Sequence, residues 1–224
     1  RDNKAGEALV HLLLNDENPP VQLAAARALG RIGDNSAIEA LLAFISKPQD
    51  RVTEHAAIYA LIELNDYAGT LVGLNSRSSK VQGRSLWALN GMDDSSLNVN
   101  QVLGLLGSAS DDLVKIVISI CKMHPDWAEE MAEVFHQRLT ENRFTEQYMT
   151  AARQLAVYFL NNNLMQAFVG RLLETNDWAE SVEVFKIISE SPTKIDLHPS
   201  WKSDFESALW SGHIQTMSVA LDAL

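Results

Sequence analysis

Apolar and polar positions follow one recurring pattern through the first half of the chain. A segment at residues 21–34 is repeated at 53–66 and 81–94, and a weaker copy starts at Val114. Aligned by column, the first position reads Val21, Thr53, Val81 and Val114, the fifth Ala25, Ala57, Ser85 and Ile118, and the eighth Ala28, Ala60, Ala88 and Cys121. The ninth holds Leu29, Leu61 and Leu89 but Lys122 in the last copy, and the twelfth holds Ile32, Leu64 and Met92 but Pro125. At about 100° per residue these columns fall within an arc of about 100°, the apolar stripe of an amphipathic helix. Small residues in the fifth and eighth columns leave room for a neighbouring backbone.

Anchor spacings of 32, 28 and 33 residues leave space between these helices for a second helix and two turns, so each repeat reads as a helical hairpin. The leading helices of the pairs are expected at 5–14, 36–45, 67–74 and 98–106. Ser36 and Glu39 have the spacing of a capping box, and Pro19 and Pro20 stand at the entry to a trailing helix.

The set Asp16, Val21, Ala25, Ala26, Ala28, Leu29, Gly30, Ile32, Gly33, Asp34, Ala37, Leu41 and Leu42 resembles the HEAT-like repeat of the bilin-lyase type. The resemblance covers roughly residues 5–124 with decreasing fidelity. Its departures are Thr53 for an aliphatic residue, Gly83 inside a helix, and the lost ninth and twelfth columns of the fourth copy. It implies an all-α fold, a right-handed alpha-alpha superhelix of the HEAT-like or armadillo-type solenoid. It also implies a non-catalytic scaffold or adaptor for protein–protein interaction, one part of a larger protein. Two other activities go with such repeats: a bilin-lyase-like enzyme, which needs a tetrapyrrole pocket, and a HEAT-like DNA-binding or repair protein with a basic concave surface.

Beyond residue 124 the helices are longer and richer in large side chains, at 127–139, 146–160, 164–174, 178–189, 201–210 and 213–223, and they alternate like three more pairs. The tetrapeptide Asp-Trp-Ala-Glu at 126–129 and again at 177–180 reads as two helix starts, with Asp at the N-cap. Residues 191–200, with Pro192 and Pro199, read as a loop within one array. The expected organisation is thus a single array over 1–224, with regular hairpins over 1–124 and irregular, aromatic-rich pairs over 125–224. The absence of an initiating Met and of a terminating Gly suggests a fragment whose array continues.

Composition narrows the function classes. With 46% hydrophobic and 21% charged residues the chain is globular, and no apolar run approaches the roughly 20 residues of a membrane-spanning helix. The formal charge of −11 is divided almost evenly between residues 1–112 and 113–224, which argues against a basic face and against nucleic acid as a partner. A single cysteine, Cys121, excludes an internal disulfide and a Cys-rich zinc site. Compartment stays open: cytoplasmic is favoured, with secreted or periplasmic locations admissible.

Chemistry is sparse. The histidines at 11, 55, 124, 136, 198 and 213 include no i, i+4 pair, and only His124 with Glu129 and Glu130 brings ligand types together locally. Cys121 with His124 has the residue types of a nucleophile pair, against which stands a small buried thiol in an alanine column. No catalytic residue, metal site or cofactor is expected.

The remaining signal lies opposite the apolar stripe, at the third, seventh and tenth columns: Leu23, Arg27, Gly30; His55, Tyr59, Ile62; Gly83, Trp87, Asn90; Ile116, Ile120, Met123. A solvated helix face is normally polar there. Trailing helices line the concave surface of such solenoids, which would set Tyr59, Trp87 and Ile120 in one row. The candidate binding residues are therefore His55, Tyr59, Ile62, Trp87, Asn90, Ile116 and Ile120, for a protein, a peptide or another domain of the parent protein. The alternative is that neighbouring helices cover these side chains and make them core.

Overall fold

A computed structural model of the chain describes residues 3–48, 50–93, 97–141, 143–173 and 201. All regular structure among them is helical: α1 (Asn3–Asn15), α2 (Pro19–Ile32), α3 (Ile38–Ser46), α4 (Arg51–Leu64), α5 (Tyr67–Leu71), α6 (Ser79–Asn90), α7 (Val99–Gly104), α8 (Asp111–Met123), α9 (Ala128–Thr140), α10 (Glu146–Tyr158) and α11 (Asn163–Leu173). Short 3-10 turns precede α3 and α9 and extend α5 and α7. The expected helices at 178–189 and 213–223, the second Asp-Trp-Ala-Glu and the 191–200 connection lie outside the described residues, as does all of 201–210 except Trp201.

The chain divides into two compact units, Arg1–Val102 with Ser110–Ile120, and Leu103–Ala109 with Cys121–Leu224. In the first, α1 packs on α2, α3 on α4 and α5 on α6, while α2, α4 and α6 also pack on one another in order and α3 contacts both α1 and α5. These are paired helices in a stack, the all-α arrangement of a HEAT repeat array. The five stripe columns are buried throughout α4 (Thr53, Ala57, Ala60, Leu61, Leu64), and likewise in the third repeat (Val81, Ser85, Ala88, Leu89, Met92). Thr53, the polar departure, keeps its hydroxyl bonded to the Asp50 carboxylate, so burial leaves no donor unsatisfied. That carboxylate caps α4 through the amides of Val52 and Thr53. The Thr53 hydroxyl first, and then these amides, hold its carboxyl below the usual carboxylate range.

Close packing explains two glycines, one against a backbone and one against a side chain. A Cβ on Gly30 of α2 would stand 2.9 Å from the Ala60 Cα of α4, so the two helices meet through their smallest residues. A Cβ on Gly83 would stand 2.7 Å from Ile116 Cδ1, so this helix-interior glycine makes room for α8. Gly33 and Asn65, at φ 67° and 51°, end α2 and α4 in the left-handed conformation.

The fourth repeat is in a different register from the one its columns suggest. Asn18, Asp50 and Ser78 are the N-caps of α2, α4 and α6, each three residues before the first column. In α8 the corresponding group is the Ser110 hydroxyl, which accepts from the Leu113 amide at 3.4 Å. The anchor is therefore Leu113, not Val114. Counted from it, the stripe reads Leu113, Val117, Ile120 and Cys121, all buried. The lost ninth column is restored, because Cys121 rather than Lys122 now aligns in sequence with Leu29, Leu61 and Leu89. Burial pushes the Cys121 thiol up to about 12, so it stays protonated at neutral pH and is no activated nucleophile.

Two helix starts also differ from expectation. The Asp34 carboxylate, not Ser36, accepts the local amide, from Ser36 itself, and caps the 3-10 turn Asn35–Ala37. The Ser36/Glu39 box is not formed. Asp126 lies inside the 3-10 turn Pro125–Trp127, and α9 begins after Trp127 without a side-chain cap, with Glu129 and Glu130 in its first turn.

The second unit packs α11 on α9 and α10. Phe135 meets Tyr148 edge-on at 6.2 Å and Phe168 at 5.4 Å between ring centroids. A Cβ on Gly170 would come 2.7 Å from the indole nitrogen of buried Trp201, so glycine is what lets this ring lie on α11.

Candidate functional site

The outward faces of α2 and α4 and the adjoining face of α6 carry two clefts. The ridge Arg51, His55, Tyr59 runs up α4 at i, i+4 spacing, which places these side chains one above another. A cleft of about 420 Å³ on one side of the ridge is lined by Arg27 and Arg31 of α2 and by Arg51, Val52, His55, Ala56, Tyr59 and Glu63 of α4. On the other side a second cleft lies between Arg51, Glu54, His55, Ile58 and Ile62 of α4 and Arg84 and Trp87 of α6. Tyr59 is 55% exposed and Val52 60%, while Ile62 and Trp87 are half-buried against the apolar core.

Not every candidate residue belongs to this face. His55, Tyr59, Ile62 and Trp87 are brought together around the two clefts. Asn90 is half-buried on the same helix as Trp87. Ile120 is fully buried and Ile116 is packed over Gly83, so neither continues the surface. The register shift is the cause. Counted from Leu113, the outward columns of α8 become Lys115, Ser119 and Lys122, all exposed and polar in the usual way. The row through Tyr59 and Trp87 therefore ends at α6. Of the other far-side positions, Gly30 is buried, Leu23 half-buried and Arg27 exposed, and Met123 lies in the other unit.

Sequence reasoning missed the flanking residues Arg31, Arg51, Val52, Glu63, Glu54 and Arg84. The signal was present in part, since Arg27 and Arg31 share one helix face and Arg51 precedes Val52 at the mouth of α4. A charge tally by halves of the chain averages over exactly this kind of grouping.

Glu54 ties α4 to α6. Its carboxylate accepts from Lys80 Nζ and Arg84 Nε, both at 2.6 Å, and Lys80 also donates to the Lys47 carbonyl at 2.8 Å. Burial pushes the Glu54 carboxyl up, but the hydrogen bonds and charges of Lys80 and Arg84 outweigh it and hold the group below its ordinary value of 4.5. A depressed folded-state pKa stabilises the fold above the unfolded-state value, and that stabilisation is lost as pH falls through the folded one. Acid titration of Glu54→Gln, followed by melting temperature from about pH 5 down to about pH 3, should therefore show a smaller loss than the unsubstituted protein.

Elsewhere, His124 stacks flat on Trp127 at 4.0 Å between ring centroids, and its grouping with Glu129 and Glu130 does not form a ligand set. No helix among the described residues is long and apolar enough to cross a membrane.

Residues 1–62 match the family model of HEAT repeats. That span holds α1 to α3 and α4 up to Ile62, and so includes the first cleft apart from Glu63. The match is to HEAT repeats as such and carries no bilin-lyase subtype. HEAT repeats typically form protein-binding scaffolds and are usually non-catalytic. No curated protein matches the chain.

Proposed function

We propose that this chain is a non-catalytic helical-repeat module that binds a protein or peptide along the outward face of α2, α4 and α6. The whole chain is taken as one array, with the regular hairpins of residues 1–124 presenting the binding face. The observation that carries the reading is the exposure of Tyr59 and Val52 on a helix face flanked by two clefts, the first lined by those two residues and the second by Ile62 and Trp87. Solvated helix faces are polar, as the equivalent face of α8 is. Exposed aromatic and aliphatic side chains beside clefts are the usual anchors of an interface. Stacked hairpins supply area rather than a reactive group, which suits recognition.

A random peptide library displayed on phage and selected against the chain tests this. Selected peptides should lose most of their affinity for a Val52→Ser/Tyr59→Ala variant whose melting temperature is unchanged, both positions being exposed. Equal binding to the variant would remove this face from the function.

A further inference from the structure

Three of the positive charges in this acidic chain converge on one cleft. Arg27 and Arg31 stand one turn apart on α2, Arg51 faces them from the start of α4, and all three are exposed. None of them forms an ion pair among the described residues, in contrast to Arg84 and Lys80, which are both engaged by Glu54. Among the described residues, the only carboxylate on the wall of the cleft is Glu63. Like charges gathered without partners repel one another and are relieved by an incoming anion. Guanidinium groups fit carboxylates in a bidentate manner that lysine does not match. Beside them, in the same cleft, stand the exposed Tyr59 and Val52.

Resting on the binding role proposed above, we infer that this cleft recognises an acidic peptide, with Arg27, Arg31 and Arg51 receiving its carboxylates and Val52 and Tyr59 an adjacent apolar side chain. The charge of the chain favours this occupant over a nucleic acid. Three arginines around one cleft, flanked by Glu63 and set in a chain of net charge −11, match one or two carboxylates. A phosphate backbone calls for a long run of cations.

Fluorescence anisotropy of two labelled decapeptides, one alternating Glu with Tyr and one alternating Gln with Tyr, provides the test, with a labelled DNA duplex as a third probe. The Glu peptide should bind about tenfold more tightly than the Gln peptide at about 50 mM salt, and the ratio should shrink at about 500 mM as screening shortens. Arg27→Gln/Arg31→Gln should abolish the preference without moving the melting temperature, and Val52→Ser/Tyr59→Ala should weaken both peptides alike. Equal affinity of the two peptides, both lost in Val52→Ser/Tyr59→Ala, overturns the acidic preference and leaves the binding face standing. A preference that survives the arginine substitutions overturns the assignment of the carboxylate to this cleft. Binding of neither peptide overturns the acidic preference and leaves the binding face to the library selection, and tighter binding of the duplex, lost with the arginines, replaces the peptide by nucleic acid.

Discussion

Ile120→Ala should lower the free energy of unfolding by about 2–5 kcal/mol, the cost of emptying a fully buried aliphatic site. Ile120 is wholly inaccessible, although the column pattern sets it on the outward face beside Tyr59 and Trp87. Ser119→Ala, one residue away on the exposed side of α8, should change stability by no more than about 0.5 kcal/mol. Urea denaturation of both variants measures the contrast. A small effect at Ile120 would return α8 to the Val114 register and restore the longer apolar face; a large one confirms that the face stops at α6.

Why the register of α8 was hard to read is instructive. In repeats one to three the apolar stripe includes Leu29, Leu61 and Leu89, and those leucines lock the alignment. In repeat four both registers start from an aliphatic residue, Leu113 or Val114, and Cys121 is as plausible in the alanine column as in the leucine column. The arbiter is the N-cap, Ser110, a polar residue outside the stripe that hydrophobic counting ignores. Paired helices and the α4 and α6 core columns were legible because 3.6-residue periodicity determines which side faces inward. The starts of α3 and α9 were less so: several acceptors compete for the free amides of a helix start, and Asp34 and Pro125 decided them by opening 3-10 turns. At the site, His55, Tyr59 and Trp87 were visible as exceptions to polarity on one helix at a time. The arginine cluster was not, since Arg27 and Arg51 meet only when α2 packs on α4, and that approach is set by Gly30 and Ala60.

That approach carries the other large expected effect. Ala60 is almost wholly buried, and a Cβ on Gly30 would be held 2.9 Å from its Cα, with the Ala60 Cβ at 3.3 Å. The Glu63 carboxylate, which also lies against that position, can swing aside, but the Ala60 backbone cannot, so a larger residue on either helix must drive the backbones apart. Ala60→Leu should cost about 1–3 kcal/mol through overpacking. Gly30→Leu should cost a similar amount, reduced by the better helix propensity of leucine, which restores up to about 1 kcal/mol. The two should not add. Once one substitution has separated α2 from α4, the second enters space already opened, and the double variant should be more stable than the sum predicts by about 0.5–3 kcal/mol. Urea denaturation of the two single variants and the double one closes the cycle. Strict additivity would mean that Gly30 and Ala60 do not share a contact, and the α2–α4 packing that assembles the arginine cleft would have to be redrawn.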